Sequence, residues 1–164
     1  MNEAVSAVLE ALKALTIPFE YAEHPRVSSI EECHIAEELL GALVPRNYFL
    51  CPRNRAGFYL LTADPANAFR TSSVSKQAGA SRLSFAPEED LNVLLHTHAG
   101  AVSPLGIMHD VNQRVKFLFD RNLLTREYLV FHPLENTASV RLRTSDLLYK
   151  FMPAYSHDVT FIDM

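Results

Sequence analysis

The sequence predicts one domain of mixed helical and strand structure, of the α/β or α+β class. Some stretches repeat their apolar residues at helical spacing, whereas others are short apolar runs bounded by Pro, Gly or Asn. The two kinds of stretch are interspersed, with several hairpins and without an internal repeat or a linker. A length of 164 residues allows a sizeable core, so residues 1–164 are expected to form a single domain.

Two helices are predicted in the first forty residues. Apolar residues at helical spacing make residues 3–15 an amphipathic helix, which Pro18 prevents from continuing. A second helix is expected to run to about Leu40 and to end at Gly41, because glycine accepts the left-handed conformation that often follows a helix. Two serine–glutamate pairs can form the capping box that starts it: Ser28 with Glu31, and Ser29 with Glu32.

Three shorter helices are predicted further along the chain. Ser72 or Ser73 can cap the first of them, which ends at Gly79. The second begins at Pro87, and the three acidic residues that follow favour the positive end of the helix dipole. The third covers residues 145–151. Three leucines of the second are expected to face inward: Leu91, Leu94 and Leu95.

Eight short strands are predicted, the first of them from the alternating apolar residues at 17–21. Residues 52–57 would join the second and third strands as a hairpin loop with two arginines at its tip. Residues 132–136 would form the turn between two later strands. The strands after the first are expected at residues 48–51, 58–62, 83–85, 115–119, 128–131, 138–142 and 159–162.

Charge is unevenly distributed along this chain, whose net charge is −4. Residues 1–45 hold two basic and eight acidic side chains, and residues 83–164 hold seven and ten. Residues 46–82 hold six basic side chains and one acidic side chain. The net charge argues against a general nucleic-acid coat, but the basic segment could contact a few phosphates. A chance cluster on solvated hairpin and helix surfaces explains the same pattern equally well.

Targeting signals are not visible in the sequence. No stretch approaches the run of about 20 apolar residues that a membrane span needs, and the first residues lack the features of a signal peptide. Cys33 and Cys51 form no recognisable disulfide pair or metal-binding spacing. We therefore expect a cytoplasmic protein with reduced thiols and with neither a membrane nor DNA as a partner.

The loop at residues 99–104 is the most distinctive stretch of the chain. Gly100 can adopt positive φ and allows close approach to its backbone, and Pro104 makes the exit of the loop stiff. Only small residues lie between them: Ala101, Val102 and Ser103. Such a loop can present backbone groups to a small polar ligand, although an ordinary turn between two elements has the same composition.

Three further stretches accompany this loop in a recognisable order. They read Pro-Arg-Asn-Tyr-Phe-Leu-Cys at 45–51, Arg-Leu-Ser-Phe-Ala at 82–86 and Phe-His-Pro-Leu-Glu-Asn-Thr at 131–137. With these motifs, nearly the whole chain resembles the bacterial prolyl-tRNA editing family of the YbaK/ProX type. Members of that family are similar to the editing domain inserted in bacterial prolyl-tRNA synthetases. The resemblance implies a mixed, partly closed β-sheet flanked by helices.

The resemblance also implies an activity, which is hydrolysis of the ester between a wrong amino acid and tRNA for proline. Such editing acts as a second sieve, because a synthetase pocket sized for proline cannot strongly exclude a smaller amino acid. One branch of the family points to alanine, which this sequence resembles more closely, and another points to cysteine. The implied partners are the acceptor end of mischarged tRNA and, additionally, prolyl-tRNA synthetase. The implied mechanism is attack by water assisted by the ribose hydroxyl of the substrate.

Site residues follow from the same resemblance. Backbone N–H groups near Gly100 would stabilise the developing oxyanion, and His132 would lie near the substrate ester. The expected substrate-binding residues are Asn47, Ala101, Val102, Ser103, Pro104 and Asn136. The basic segment, rather than the resemblance, supplies the expected contacts to tRNA phosphates, which are Arg53, Arg55 and Arg82. By residue chemistry alone, His132 and Asn136 could equally be ordinary turn residues.

Arg46 stands where many members of the family carry a functional lysine. Arginine keeps the positive charge and binds phosphate through two parallel hydrogen bonds, but it does not release its proton. If the lysine acts by charge, Arg46 can hold the terminal adenosine or its phosphate. If the lysine carries a proton, that role is lost here. An exposed arginine before a strand is the structural alternative.

Other chemistries find weaker support. Four histidines could supply metal ligands, yet no His-x-x-x-His helical pair is present, so neither a metal nor another cofactor is expected. A Ser-His-Asp triad lacks the Gly-x-Ser-x-Gly turn that usually presents the serine. The replacement at Arg46 keeps open a non-catalytic binder of aminoacyl-tRNA or of an amino acid. The four histidines are His96, His98, His109 and His132.

Overall fold

Eight strands form two sheets in the computed structural model, which describes residues 2–27 and 30–164, with side chains described except at 30–32. Each predicted strand is present, with bounds that differ by at most two residues. The strands are β1 Phe19–Glu23, β2 Arg46–Pro52, β3 Phe58–Ala63, β4 Leu83–Phe85, β5 Val115–Asp120, β6 Tyr128–Phe131, β7 Ala138–Arg143 and β8 Val159–Ile162.

The larger sheet has the strand order β4-β2-β3-β5-β8. The hairpin β2–β3 and the pair β2–β4 are antiparallel, whereas β3–β5 and β5–β8 are parallel. The smaller sheet has the order β1-β7-β6 and is antiparallel throughout. The mixed fold class is therefore confirmed, and the strands form two open sheets rather than a closed barrel.

Helices cover the sheets and supply much of the core. α1 presents Val5, Val8 and Leu12 to the interior, and the side chain of Asn2 caps it by accepting a hydrogen bond from the N–H of Val5 at 2.9 Å. No helix of the described residues is long and apolar enough to span a bilayer. The helices are α1 Glu3–Ala14, α2 Ile30–Leu40, α3 Thr71–Gln77, α4 Glu88–Leu95 and a last helix, α5, made of Thr144–Asp146, Leu147–Phe151 and Met152–Ala154.

The glycines that end α2 and α3 were predicted correctly, but one of the predicted N-terminal caps was not. Gly41 and Gly79 adopt φ of 68° and 69° after α2 and α3, as predicted. The predicted cap of α3 by Ser72 or Ser73 is wrong, because α3 already begins at Thr71 and Arg70 is its N-cap. The two capping boxes proposed for α2 involve residues 28–32, which lie outside the described side chains.

The last helix is longer than predicted, and its middle is wound more widely. It begins at Thr144 and ends at Ala154, with a π-helical segment at Leu147–Phe151 in the middle. Leu147, Leu148 and Phe151 of this segment are buried in the main core. The π-helical winding of this segment could not be read from the helical periodicity of the sequence.

Candidate functional site

A cavity of about 300 Å³ lies where the two sheets meet. The parallel bridge between Leu43 and Leu129, with the N–H of Val130 donating to the carbonyl of Leu43 at 2.9 Å, brings the start of β2 beside the end of β6. The loop at residues 99–102 and helix α2 close the cavity. Its lining residues are Val27, Cys33, Val44, Pro45, Arg46, Asn47, Ala99, Gly100, Val102, Val130, Phe131 and His132.

His132 enters the cavity at the end of β6 with a defined tautomer. Its Nδ1 lies 2.9 Å from the carbonyl oxygen of Ala138, and a carbonyl can only accept, so Nδ1 carries the proton. The other nitrogen, Nε2, makes no hydrogen bond to any described residue. Burial is the largest influence on this ring and lowers the pKa of His132, although the bond to Ala138 opposes the shift. The ring is therefore neutral near pH 7, with Nε2 as an acceptor.

His24 lies next to His132 and is held in place from both sides. Its Nδ1 lies 2.8 Å from the carbonyl oxygen of Pro25, and its Nε2 lies 2.7 Å from the hydroxyl of Ser139. The two imidazole rings are 6.1 Å apart, and a positive charge on His24 further lowers the pKa of His132. This neighbour reinforces the neutral state of the ring in the cavity.

Arg46 reaches the cavity from the first position of β2. Its Nε atom is buried without a hydrogen-bond partner, and its guanidinium forms no ion pair with any described residue. None of the residues that line the cavity is an aspartate or a glutamate. An unneutralised guanidinium in such a cavity favours an anion, and its planar geometry suits a phosphate.

The loop at residues 99–104 folds into two short 3-10 turns, Ala99–Ala101 and Pro104–His109. Gly100 and Val102 line the cavity, whereas the side chains of Ala101, Ser103 and Pro104 are buried away from it. The hydroxyl of Ser103 accepts a hydrogen bond from the N–H of Leu105 at 3.1 Å, which caps the second turn. These three side chains therefore support the conformation of the loop and do not line the cavity.

Gly100 meets a close neighbour rather than adopting an unusual backbone conformation. Gly100 does not use its freedom to adopt positive φ, which among the described glycines only Gly41 and Gly79 do. A Cβ atom on Gly100 would lie 3.1 Å from Nδ2 of Asn136, which is tighter than nearly all real contacts of this kind. The absence of a side chain at this position therefore lets the loop and the 132–136 turn come together.

Asn136 is buried and ties the turn to the segment before α2. Its Nδ2 donates to the carbonyl of Val27 at 2.9 Å, and the N–H of Val27 donates to the carbonyl of Asn136 at 3.1 Å. Its Oδ1 is buried without a partner among the described residues. Asn136 is not a lining residue of the cavity, but it is hydrogen-bonded to Val27, which lines the cavity, and it lies close to Gly100.

Asn47 is held by its neighbour on β3. The hydroxyl of Thr62 donates to Oδ1 of Asn47 at 2.6 Å, and the two residues are directly paired in the β2–β3 register. This bond occupies Oδ1 of Asn47, which leaves the Nδ2 group of this lining residue as the donor for a ligand. A carbonyl or ribose oxygen is the matching group on a ligand.

Comparison with known proteins identifies the family. A family model described as the aminoacyl-tRNA editing domain matches residues 24–149, which is most of the chain. The chain belongs to this family. The prolyl-tRNA editing protein ProX of Acetoanaerobium sticklandii is 33% identical over 145 residues, covering 88% of each chain. Membership implies hydrolysis of aminoacyl-tRNA, and the resemblance to prolyl-tRNA editing proteins is confirmed.

Two further similarities agree with this assignment. The prolyl-tRNA synthetase associated domain-containing protein 1 of Bos taurus is 31% identical over 160 residues, covering 95% of this chain and 92% of that one. A crystal structure of a candidate trans-editing enzyme for prolyl tRNA synthetase has a TM-score of 0.76 at 19% identity, covering 100% and 99% of the two chains. At this low identity, the second similarity shows the fold.

The three arginines expected to contact tRNA differ in their surroundings. Arg53 and Arg82 are exposed and form no ion pair with any described residue. Arg55 instead lies 2.6 Å from Asp90 and 3.1 Å from Glu89, which raise its pKa and neutralise its charge within the editing domain. The hairpin tip therefore offers one unpaired cation rather than two.

The histidines considered as metal ligands are dispersed among different contacts. His96 and His109 stack with ring centroids 4.0 Å apart, and His98 lies 3.4 Å from Glu135. Within residues 2–27 and 30–164, no group of three or more His, Cys, Asp or Glu side chains is arranged to hold a metal ion.

Several residues that matter for the site were not singled out from the sequence. The buried hydroxyl of Thr97 lies 3.1 Å from the carbonyl oxygens of both Ala101 and Leu134, which joins the loop to the 132–136 turn. Gly106 packs so tightly that a Cβ atom there would lie 2.8 Å from the carbonyl oxygen of Leu95. The one sequence signal that could have pointed to Gly106 is its position two residues after Pro104, where the loop at residues 99–104 ends. The lining residues Val27, Cys33, Val44 and Val130 come from segments distant in sequence.

Proposed function

We propose that this editing domain hydrolyses the ester that links alanine to tRNA for proline, without a metal ion. The observation that carries this proposal is the acid-free cavity in which Arg46, the backbone at Gly100 and the neutral ring of His132 lie together. A positive group suits the phosphate of the terminal adenosine, and a neutral imidazole suits a hydroxyl or water that must give up a proton. The similarity to ProX supports prolyl-tRNA as the tRNA.

The size of the cavity supports a small amino acid. A volume of about 300 Å³ is at the lower end of ligand pockets and must also admit the ribose that carries the ester. Val102 and Val44 are among the residues that line it. Alanine fits the sieve logic, in which a second site hydrolyses amino acids small enough to enter it. Cysteine is the nearest alternative in size.

The proposed reaction needs no nucleophile from the protein. Water adds to the ester carbonyl, with its proton passing to Nε2 of His132 or through the adjacent ribose hydroxyl. Backbone N–H groups near Gly100 stabilise the resulting oxyanion. The tetrahedral intermediate then expels the ribose oxygen, which takes up a proton, and alanine and free tRNA are released. Arg46 holds the adenosine end, so that the ester carbonyl lies against the loop.

Single-turnover hydrolysis of alanyl-, cysteinyl- and prolyl-tRNA for proline, each with and without a chelator, tests this proposal. We expect the alanyl ester to be cleaved fastest, the prolyl ester to be spared, and the chelator to have no effect. Faster cleavage of the cysteinyl ester would reassign the substrate. Loss of activity on chelation with rescue by zinc would replace the water-and-ribose mechanism with metal chemistry.

Arg46 also favours a second candidate function, which is binding without cleavage. If the family lysine carries a proton, arginine cannot replace it, and the cavity would retain aminoacyl-tRNA or an amino acid as a sensor. In that event alanyl-tRNA would bind and remain intact over many times the lifetime measured for cleavage in active members of the family.

A further inference from the structure

Three aromatic side chains cluster at the surface beside the cavity, and together they are called the aromatic patch: Tyr48, Phe69 and Phe85. The rings of Tyr48 and Phe69 stack with centroids 4.4 Å apart. Phe85 lies 6.2 Å from Tyr48 and 6.1 Å from Phe69, the latter edge to face. Phe85 is 68% exposed, which is unusual for so large an apolar side chain. The patch therefore presents a rigid aromatic surface to solvent.

The patch lies next to the cavity along β2. Arg46 and Tyr48 occupy alternate positions of this strand, so they project from the same face about 7 Å apart. Phe85 belongs to β4, which pairs with β2 through Leu50. Leu50 lies four positions beyond Arg46, so the patch extends along β2 from about 7 Å to about 13 Å from the arginine, and its near end, Tyr48, is within reach of a nucleoside whose ester occupies the cavity.

Three arginines lie close to the patch residues in the sequence. Arg46 precedes Tyr48 by two residues, Arg70 follows Phe69, and Arg82 precedes Phe85 by three. None of these arginines forms an ion pair with a described residue, whereas Arg55, Arg121 and Arg141 all do. Residues 65–87 contain three basic side chains and no acidic one. An aromatic surface bordered by unpaired cations matches single-stranded nucleic acid, since bases stack on rings and phosphates pair with arginines.

We propose that the aromatic patch is the stacking platform for the base of the nucleotide that carries the ester. This inference rests on the proposed function, because it places the base of the same substrate. The base stacks on Phe85 with Tyr48 and Phe69 behind it, and Arg46 holds the phosphate between platform and cavity. A purely apolar protein partner is the other occupant to consider, but such a contact would not call for three unpaired arginines.

Substitutions at Phe85 test the platform, because this side chain is exposed and its removal leaves the core intact. The substrates are alanyl-adenosine and an alanyl ester of ribose that lacks a base. We expect Phe85→Ala to reduce kcat/KM for alanyl-adenosine by about 5- to 100-fold, chiefly through KM, because that is the range that base–aromatic stacking supplies. Phe85→Tyr should retain activity. Tyr149→Ala removes another exposed aromatic side chain and should change nothing.

The baseless ester completes the comparison. We expect kcat/KM of the wild type for the baseless ester to be as low as kcat/KM of Phe85→Ala for alanyl-adenosine. On the baseless ester, Phe85→Ala and the wild type should have the same kcat/KM, because there is no base to stack. Phe85→Leu keeps an apolar side chain without a ring and should behave like Phe85→Ala. Full activity of Phe85→Leu or of Phe85→Ala on alanyl-adenosine would overturn the platform while leaving the proposed hydrolysis intact.

Binding separates failure of the platform from failure of the proposed function. If the wild type hydrolyses neither ester, the hydrolysis proposal fails, and the platform is judged from the affinity for a short RNA that ends in unpaired CCA. Weaker binding by Phe85→Ala than by Tyr149→Ala would then support the platform. Equal binding by the wild type and by both variants would overturn it.

Discussion

Nδ1 of His132 lies 2.9 Å from the carbonyl oxygen of Ala138, the first residue of β7. The bond places the proton on Nδ1 and leaves Nε2 of the neutral ring as an acceptor in the cavity. Among the described residues, His132 is the only histidine that lines the cavity. Its tautomer is fixed by this contact between the end of β6 and the first residue of β7. Its protonation state is the most direct link between structure and pH dependence.

The rate of deacylation is expected to fall at acidic pH, with a midpoint below the ordinary histidine pKa of about 6.5. The midpoint is expected there because burial lowers the pKa of His132. Protonation of Nε2 removes the acceptor, so kcat/KM should fall as pH drops through this lowered value. His132→Gln should reduce kcat/KM by about 100-fold near pH 7 and abolish the acid limb. The measurement is kcat/KM from about pH 5 to pH 8.

Stability should show the same ionisation. The unfolded chain binds a proton at His132 more readily than the folded chain does, so the free energy of unfolding should fall as pH drops below about 6.5. His132→Gln lacks this contribution. An acid limb centred above 6.5, or one that persists unchanged in His132→Gln, would contradict the assignment.

Gly100→Ala is expected to reduce kcat/KM by about 10- to 100-fold, because the new methyl group presses on Asn136 and displaces the loop from the ester. The melting temperature should fall only modestly, since a contact at 3.1 Å is relieved by a shift of a few tenths of an ångström. Gly57→Ala is the matched control, because its Cβ atom would make only an ordinary contact at 3.9 Å with Tyr59. Normal hydrolysis by a folded Gly100→Ala variant would remove the loop from the site.

Gly106→Ala is expected to act on stability instead. Its Cβ atom would meet the carbonyl oxygen of Leu95 at 2.8 Å and the Cβ atom of the same residue at 2.9 Å. Backbone cannot move aside as a side chain does, so unfolding should become easier by about 1–3 kcal/mol. Urea denaturation measures the loss, with Gly57→Ala again as control. If Gly106→Ala is as stable as the wild type, α4 and the turn at Pro104–His109 can move apart without loss of stability.

Arg46→Lys is expected to retain most of the hydrolysis rate and Arg46→Ala to lose it, if positive charge is what the position supplies. The observation behind this expectation is the unpaired guanidinium in an acid-free cavity. Single-turnover rates across pH for the three proteins provide the test. An inactive wild type with activity appearing in Arg46→Lys, most visibly at alkaline pH, would instead assign a proton-carrying role and favour the binder.

Binding of tRNA is expected to weaken only shallowly with salt, with a log–log slope of roughly −2 to −4, because few phosphate contacts are available. Replacing Arg53 and Arg82 together by glutamine should flatten the slope. Arg55→Gln is the control and should leave the slope unchanged, since Asp90 and Glu89 already neutralise this arginine. A slope unaffected by the double substitution would mean that the basic segment faces away from the RNA.

Local sequence determined the secondary structure of this protein to a large extent. Apolar alternation and turn residues predicted every strand, and Gly41 and Gly79 ended their helices as expected. These signals act over a few residues, so they can be read without knowing the fold. The cap of α3 was mispredicted because Ser72 and Ser73 are as suitable for capping as any serine, and nothing local excludes an earlier start at Thr71.

Only the tertiary structure decided how the site is assembled. The motifs at 45–51, 99–104 and 131–137 could each be found in the sequence, but the Leu43–Leu129 bridge that joins two of them comes from long-range pairing. Gly100 was singled out for its conformational freedom and for close approach to its backbone, whereas the constraint that the structure shows there is Asn136, a neighbour distant in the chain. Long-range contacts of this kind depend on which sheet each strand joins, and that is determined by burial of the whole core rather than by any local pattern.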